Sequence, residues 1–225
     1  MAVVRNLISL SSRLKYTLDP TSVPNEFRVL SKFGIFFFTL WTFTLQIVFM
    51  FIAIADECCK LLNIQSRQKK LEKIRQQLFL SLMLPCSLIV MSIFWIVFHI
   101  DRELIYPKII DTFHPRWLNH TLHTAIGLPL LLEIVSHKID RTISYKASRQ
   151  YALIFLTGYL LVYQVLYFSL YLLQGIWLYP IYKLMSWPER LVFSLFNYGL
   201  GVGFQQIGFL LLQPKIEEKA ERKIK

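Results

Sequence analysis

HPRWLNHTLHTAIGLPLLLEIV, from His114 to Val135, opens as a polar loop and closes as a nearly continuous apolar run. Two imidazoles, His120 and His123, stand where one grades into the other. The rest of the chain shows what kind of boundary this is. It has 225 residues, 55% hydrophobic content, a formal charge of +11 and a mean hydropathy of +0.45. A soluble domain of this length is usually less apolar, and so basic a chain could suggest nucleic acid. Here charged and apolar residues separate into blocks, which is the membrane pattern. The basic residues then read as orientation signals and as contacts to anionic headgroups of membrane lipids. No arginine-rich or aromatic-interleaved motif is present, so nucleic acid is not an expected partner.

Working outward from His114–Val135, five apolar stretches approach or exceed the roughly 20 residues that a bilayer crossing requires. They are Phe33–Ala55, Leu78–Ile100, Leu118–Val135, Tyr151–Gly175 and Leu191–Leu212. The expected fold is all-α, a polytopic transmembrane helical bundle. Residues 33–212 form its membrane domain, between an N-terminal segment (1–32) and a basic tail (213–225). In the N-terminal segment Arg5, Arg13 and Lys15 interrupt the apolar residues, while Leu7, Leu10 and Leu14 recur near helical spacing. A sixth span and an interfacial amphipathic helix are both open there. Lysines and arginines are denser in the connections 60–75 and 138–149 and in the tail than in the alternate connections. That bias puts the C-terminus in the cytosol. The dibasic Arg222 and Lys223 loosely match an endoplasmic-reticulum retrieval signal, leaving that membrane and the plasma membrane as the two options.

Cys58, Cys59 and Cys86 have neither a disulfide framework nor metal-ligand spacing. Cys58 and Cys59, between an apolar run and a basic stretch, are a candidate acylation pair. His99, His120, His123 and His137 flank the spans, but no pair faces another across the bundle in a haem-ligating pattern. Neither a metal nor a cofactor is expected. Asn119–Thr121 forms a glycosylation sequon at the membrane edge, where an oligosaccharide would sit badly.

Ionisable groups at membrane depth are costly and mark candidate sites. Thr39, Thr42 and Thr44 lie in the first stretch and His123 in the third. Both stretches enter from the same side, and Thr39 and His123 lie about 8–9 Å below it at 1.5 Å per residue. A hydroxyl and an imidazole at equal depth can meet, as nucleophilic acyl transfer requires. Asn119 and His120 share the helix with His123, and Asp101 closes the second stretch on the same side. These three are candidates for supporting roles, Asp101 as an orienter of a histidine. A multi-pass regulatory protein without chemistry is the alternative reading.

With these residues laid out, the chain resembles the androgen-induced gene 1 and androgen-dependent TFPI-regulating protein family from about Phe33 to Leu212. The resemblance is carried by FWIVFHIDRELIYPKIIDTFHPRWLNHTLHT, Phe94 to Thr124, and by GIWLYP, Gly175 to Pro180. It implies a multi-pass membrane hydrolase that cleaves fatty acid esters of hydroxy fatty acids with a threonine nucleophile and a histidine. In the family the threonine is followed seven residues later by glutamine. That places the nucleophile on Thr39, before Gln46, and the histidine role on His123, the second histidine of the NH--H pair. Two departures stand out: the interrupted N-terminus against the family's six spans, and Phe38 in place of a leucine.

Overall fold

The structure, a computed structural model, describes residues 25–136 and 145–211. The N-terminal residues before Asn25, His137 and the basic tail lie outside them. Every element among the described residues is helical. In chain order these are α1 (Asn25–Phe33), α2 (Phe38–Leu61), α3 (Gln65–Leu78), α4 (Leu84–Asp101), α5 (Arg116–His123), α6 (Gly127–Ser136), α7 (Tyr145–Gln174), α8 (Ile181–Leu184) and α9 (Trp187–Leu211). A π-helical turn, Phe79–Met83, fuses α3 to α4.

Three of the five apolar stretches lie in helices long and apolar enough to cross a membrane: Phe38–Leu61, Gln65–Leu104 and Arg149–Gln174. Their outward faces carry Phe51, Ile54, Leu161 and Leu172, all largely exposed. In water such a belt would be an aggregation surface, whereas in lipid it needs no cover. The stretch at Leu191–Leu212 becomes α9, 25 residues long, with Asn197, Gln205 and Gln206 diluting its apolar character.

The stretch Leu118–Val135 is not one helix. It breaks at Thr124–Ile126 between α5 and α6. Pro129 explains the position, because it has no N–H for the Ala125 carbonyl four residues earlier. That carbonyl instead accepts from the Leu128 N–H at 3.0 Å. The π turn has a related cause. Pro85 cannot donate to the carbonyl of Ser81, and the buried Gln205 amide of α9 donates to it at 3.1 Å. The same amide donates to the Ala152 carbonyl at 2.9 Å, so one side chain joins α9, the π turn and α7.

A second buried amide links the broken segment to α2. Gln46 Nε2 donates to the Ile126 carbonyl at 2.6 Å and to Ser87 Oγ at 3.1 Å. Gly208 lets α9 approach closely, since a Cβ there would sit 2.7 Å from a Leu84 methyl. Apolar packing completes each level. Phe49, Phe79, Met83 and Phe209 fill the end near the α2–α3 turn, and Phe38, Ile89, Ile126 and Leu156 fill the middle. Phe33, Tyr167, Trp177 and Tyr182 fill the opposite end.

Charge inside this apolar frame is concentrated at the α2–α3 end. Arg75 of α3 bonds Glu133 of α6 through Nε at 3.0 and 3.1 Å and through Nη2 at 2.6 Å. Its Nη1 reaches Asp56 at 3.0 Å and Glu57 at 2.7 Å. Asp56 and Glu133 are 0% and 3% exposed. Arg75, counted in the sequence among the basic residues of a surface connection, is therefore an interior residue.

Candidate active site

Thr39 is the second residue of α2 and His123 the last residue of α5. Their side chains meet, with Thr39 Oγ1 3.4 Å from His123 Nε2. The other ring nitrogen fixes the direction of the proton. Nδ1 lies 2.9 Å from the Asn119 backbone carbonyl, which can only accept, so Nδ1 carries the hydrogen in the neutral ring. Nε2 then has a free lone pair turned toward the threonine hydroxyl. Phe94 stacks on the imidazole with centroids 3.5 Å apart and planes 11° from parallel. The Trp95 indole donates to the His123 carbonyl at 3.2 Å. Imidazole plane and helix end are thus held from two sides.

Thr42 and Thr44 are not placed to compete. The Thr42 hydroxyl is fully buried and makes no hydrogen bond to the imidazole, and Thr44 donates to the Leu40 carbonyl at 2.8 Å from an exposed position. Among the supporting candidates, Asn119 acts on His123 through its backbone carbonyl. Its side chain is buried, leaving no room for an attached glycan. His120 turns elsewhere, stacking on Trp95 at 5.4 Å and facing Thr124 Oγ1 at 3.3 Å. Asp101 is not brought into the site. It accepts the Glu103 N–H at 2.9 Å and starts the short 3-10 helix Arg102–Leu104. Where a triad would use a carboxylate to orient its histidine, this arrangement has a peptide carbonyl.

Thr39 and His123 open into a cavity of about 1680 Å³. Its lining includes Ile89, Val97 and Leu160 together with α1 residues, Tyr106, His114 and Lys183. That exceeds the roughly 300–1,000 Å³ of ordinary small-molecule sites. The interior is apolar with a few polar groups, suited to long hydrocarbon chains.

Sequence reasoning passed over two groups in this lining. Tyr106 Oη and His114 Nδ1 are 3.0 Å apart, and both residues are buried. Burial holds the His114 pKa down to about 4 from its ordinary 6.5, against the opposing pull of Asp111. The folded chain resists protonation here while the unfolded chain does not. Stability is therefore fully present above pH 6.5 and declines as pH falls from 6.5 toward 4, by at most about 1.4 kcal/mol per pH unit. A His114→Asn variant, melted in detergent micelles across this range, is expected to show a shallower acid slope than the parent. An unchanged slope would exclude His114 as its source.

Comparison with known proteins gives a consistent picture. Residues 6–211 match the model of the family described as FAR-17a/AIG1-like protein. The chain is 35% identical over 162 residues to the androgen-dependent TFPI-regulating protein of Homo sapiens, covering 72% of this chain and 68% of that one. It is 30% identical over 172 residues to the protein of that name from Mesocricetus auratus, covering 76% and 72%. The androgen-induced gene 1 protein of Homo sapiens is 32% identical over 168 residues, covering 70% and 67%. No solved structure matches the chain.

Proposed function

The chain belongs to the FAR-17a/AIG1-like protein family, and from that premise we propose that it is an integral-membrane lipid esterase. Its substrates on this reading are fatty acid esters of hydroxy fatty acids, the class implied by the resemblance drawn from the sequence. One observation carries the proposal: a threonine hydroxyl 3.4 Å from the unprotonated nitrogen of an oriented histidine, inside a cavity large enough for two acyl chains.

The chemistry follows from the tautomer. Thr39 Oγ1 attacks the ester carbonyl while its proton passes to His123 Nε2. The resulting tetrahedral oxyanion collapses, the bond to the alkoxy oxygen breaks, and Nε2 returns the proton to that oxygen. The hydroxy fatty acid leaves and the acyl group stays on Thr39. A water molecule then attacks the acyl-threonine, giving a proton to Nε2. Collapse releases the fatty acid, and the proton returns to Oγ1. General base help of this kind contributes about 10²–10⁴-fold. Acyl chains enter from lipid into an apolar wall, so their transfer carries little desolvation cost.

Purified protein should release both products from a branched fatty acid ester, and a fluorophosphonate probe should label Thr39. Absence of both turnover and labelling would favour a regulatory role without chemistry. Labelling at Thr42 would move the nucleophile. We place the protein as a multi-pass chain in the plasma membrane or endoplasmic reticulum, its C-terminus cytosolic.

A further inference from the structure

The ester mechanism leaves open what receives the negative charge on the carbonyl oxygen. The segment GIWLYP lies between α7 and α8. Gly175 has φ +65, a left-handed conformation that closes α7, and its N–H bonds the Tyr171 carbonyl at 2.7 Å. The chain then turns back over the cavity rim and brings Tyr179 against the start of α2. Tyr179 packs edge-on to Phe37 with centroids 5.3 Å apart and stacks with Tyr167 at 5.9 Å. Its hydroxyl oxygen accepts the Phe38 backbone N–H at 3.1 Å. Phe38 is the residue immediately before Thr39, and the phenol also interacts with the Tyr163 hydroxyl and with the Thr39 side chain.

These contacts fix what the phenol can do. One lone pair is occupied by the Phe38 N–H, which polarises the O–H and makes it a better donor. The phenol oxygen sits just beyond the N-terminus of a 24-residue helix. The Thr39 N–H, in the first turn, has no intrahelical carbonyl to bond and points toward the same end. The positive end of the helix dipole lies there too. We infer that Tyr179 is a further catalytic residue, whose phenolic O–H, together with the Thr39 N–H, stabilises the oxyanion formed when Thr39 attacks an ester carbonyl. The inference rests on the esterase reading. Tyr179 donates a hydrogen bond and keeps its proton throughout, so the proton balance stays between Thr39, His123, the leaving alcohol and water. Burial pushes the phenol up to about 12, which keeps it a neutral donor across the working range.

The test uses the full-length purified protein on a branched fatty acid ester, with Thr39→Ala as reference. Tyr179→Phe is expected to lower kcat by about 10²–10³-fold, the usual effect of removing one oxyanion donor, with KM within about threefold. Because phenylalanine also removes the cap on Phe38, a second variant separates the two roles. Replacing Tyr179 by 3,5-difluorotyrosine keeps the oxygen on the Phe38 N–H but makes the phenol more acidic. Its alkaline limb of kcat against pH should move to lower pH, which loss of a purely structural cap would not cause. A Tyr179→Phe kcat within threefold of the parent, alongside an inactive Thr39→Ala, would overturn the inference and leave the esterase reading intact. An unmoved alkaline limb in the fluorinated protein would overturn it too. Full activity in Thr39→Ala would remove both.

Discussion

Thr39→Ala is expected to lose at least about 10³-fold in ester hydrolysis, and His123→Ala to lose a similar amount. Each side chain is useless without the other. The hydroxyl needs the Nε2 lone pair 3.4 Å away to shed its proton, and without that hydroxyl no acyl-threonine forms for the imidazole and water to resolve. Residues that act as one unit are strongly non-additive, so the double variant should be scarcely worse than either single one. Thr39→Ser keeps the hydroxyl and should retain activity within about tenfold, while Thr42→Ala removes a hydroxyl that makes no hydrogen bond to His123 and should leave turnover unchanged. Initial rates on a branched fatty acid ester, normalised to folded protein, check all five. Additive losses in the double variant would show that the two residues do not act together.

The largest loss of stability is expected from Arg75→Ala. The guanidinium binds Glu133 in a two-pronged fork and Asp56 through its remaining nitrogen, and both carboxylates are buried. Removing the cation leaves Asp56 with Lys60 at 2.8 Å and takes from buried Glu133 the fork that balances its charge, which costs about 3–5 kcal/mol. Arg75→Lys keeps the charge but not the fork and should fall between the parent and the alanine variant. Thermal unfolding in micelles reads the difference. Activity per folded molecule should change little, because Thr39 and His123 lie near the opposite end of the bundle. An Arg75→Ala protein as stable as the parent would mean that Lys60, water or rearrangement neutralises the two acids.

These two predictions rest on residues of unequal legibility. The pairing of Thr39 with His123 could be read from the sequence because depth in a bilayer is a one-dimensional coordinate. Counting residues inward from one membrane face locates both side chains without knowing how the helices pack. Hydropathy likewise marks the long helices, since length and apolarity are local properties. The Arg75 network was not legible in this way. Arg75 and Glu133 are 58 residues apart, and Arg75 stands in a run of charges that reads as a solvated connection. Only the packing of α3 against α2 turns it inward. Glu133, alone in an apolar stretch, was the available signal, because a lone acid there needs a partner.

Asp101 shows the opposite failure. It stands on the correct side of the membrane for a triad, yet its carboxylate serves its own chain two residues on, as aspartates at helix ends commonly do. Depth alone cannot separate the two. Tyr179 was recognisable only as part of a family motif. Its position over the first turn of α2 depends on how the 175–180 segment folds back, which no periodicity encodes. The break after His123 has a signal in Pro129, whose missing N–H leaves the Ala125 carbonyl without its intrahelical donor, a lack that at Pro85 is absorbed by a π turn instead.

That break shapes how the two reacting groups respond to their surroundings. A rigid, full-length helix carrying His123 would tilt independently of α2 whenever the host lipid thickened or thinned. Instead the discontinuity is tied through Gln46 to the helix that bears Thr39, two turns further along. Stretching or compressing a surrounding bilayer is therefore expected to move alcohol and imidazole together, a coupling that removing the Gln46 amide (Gln46→Leu) should weaken.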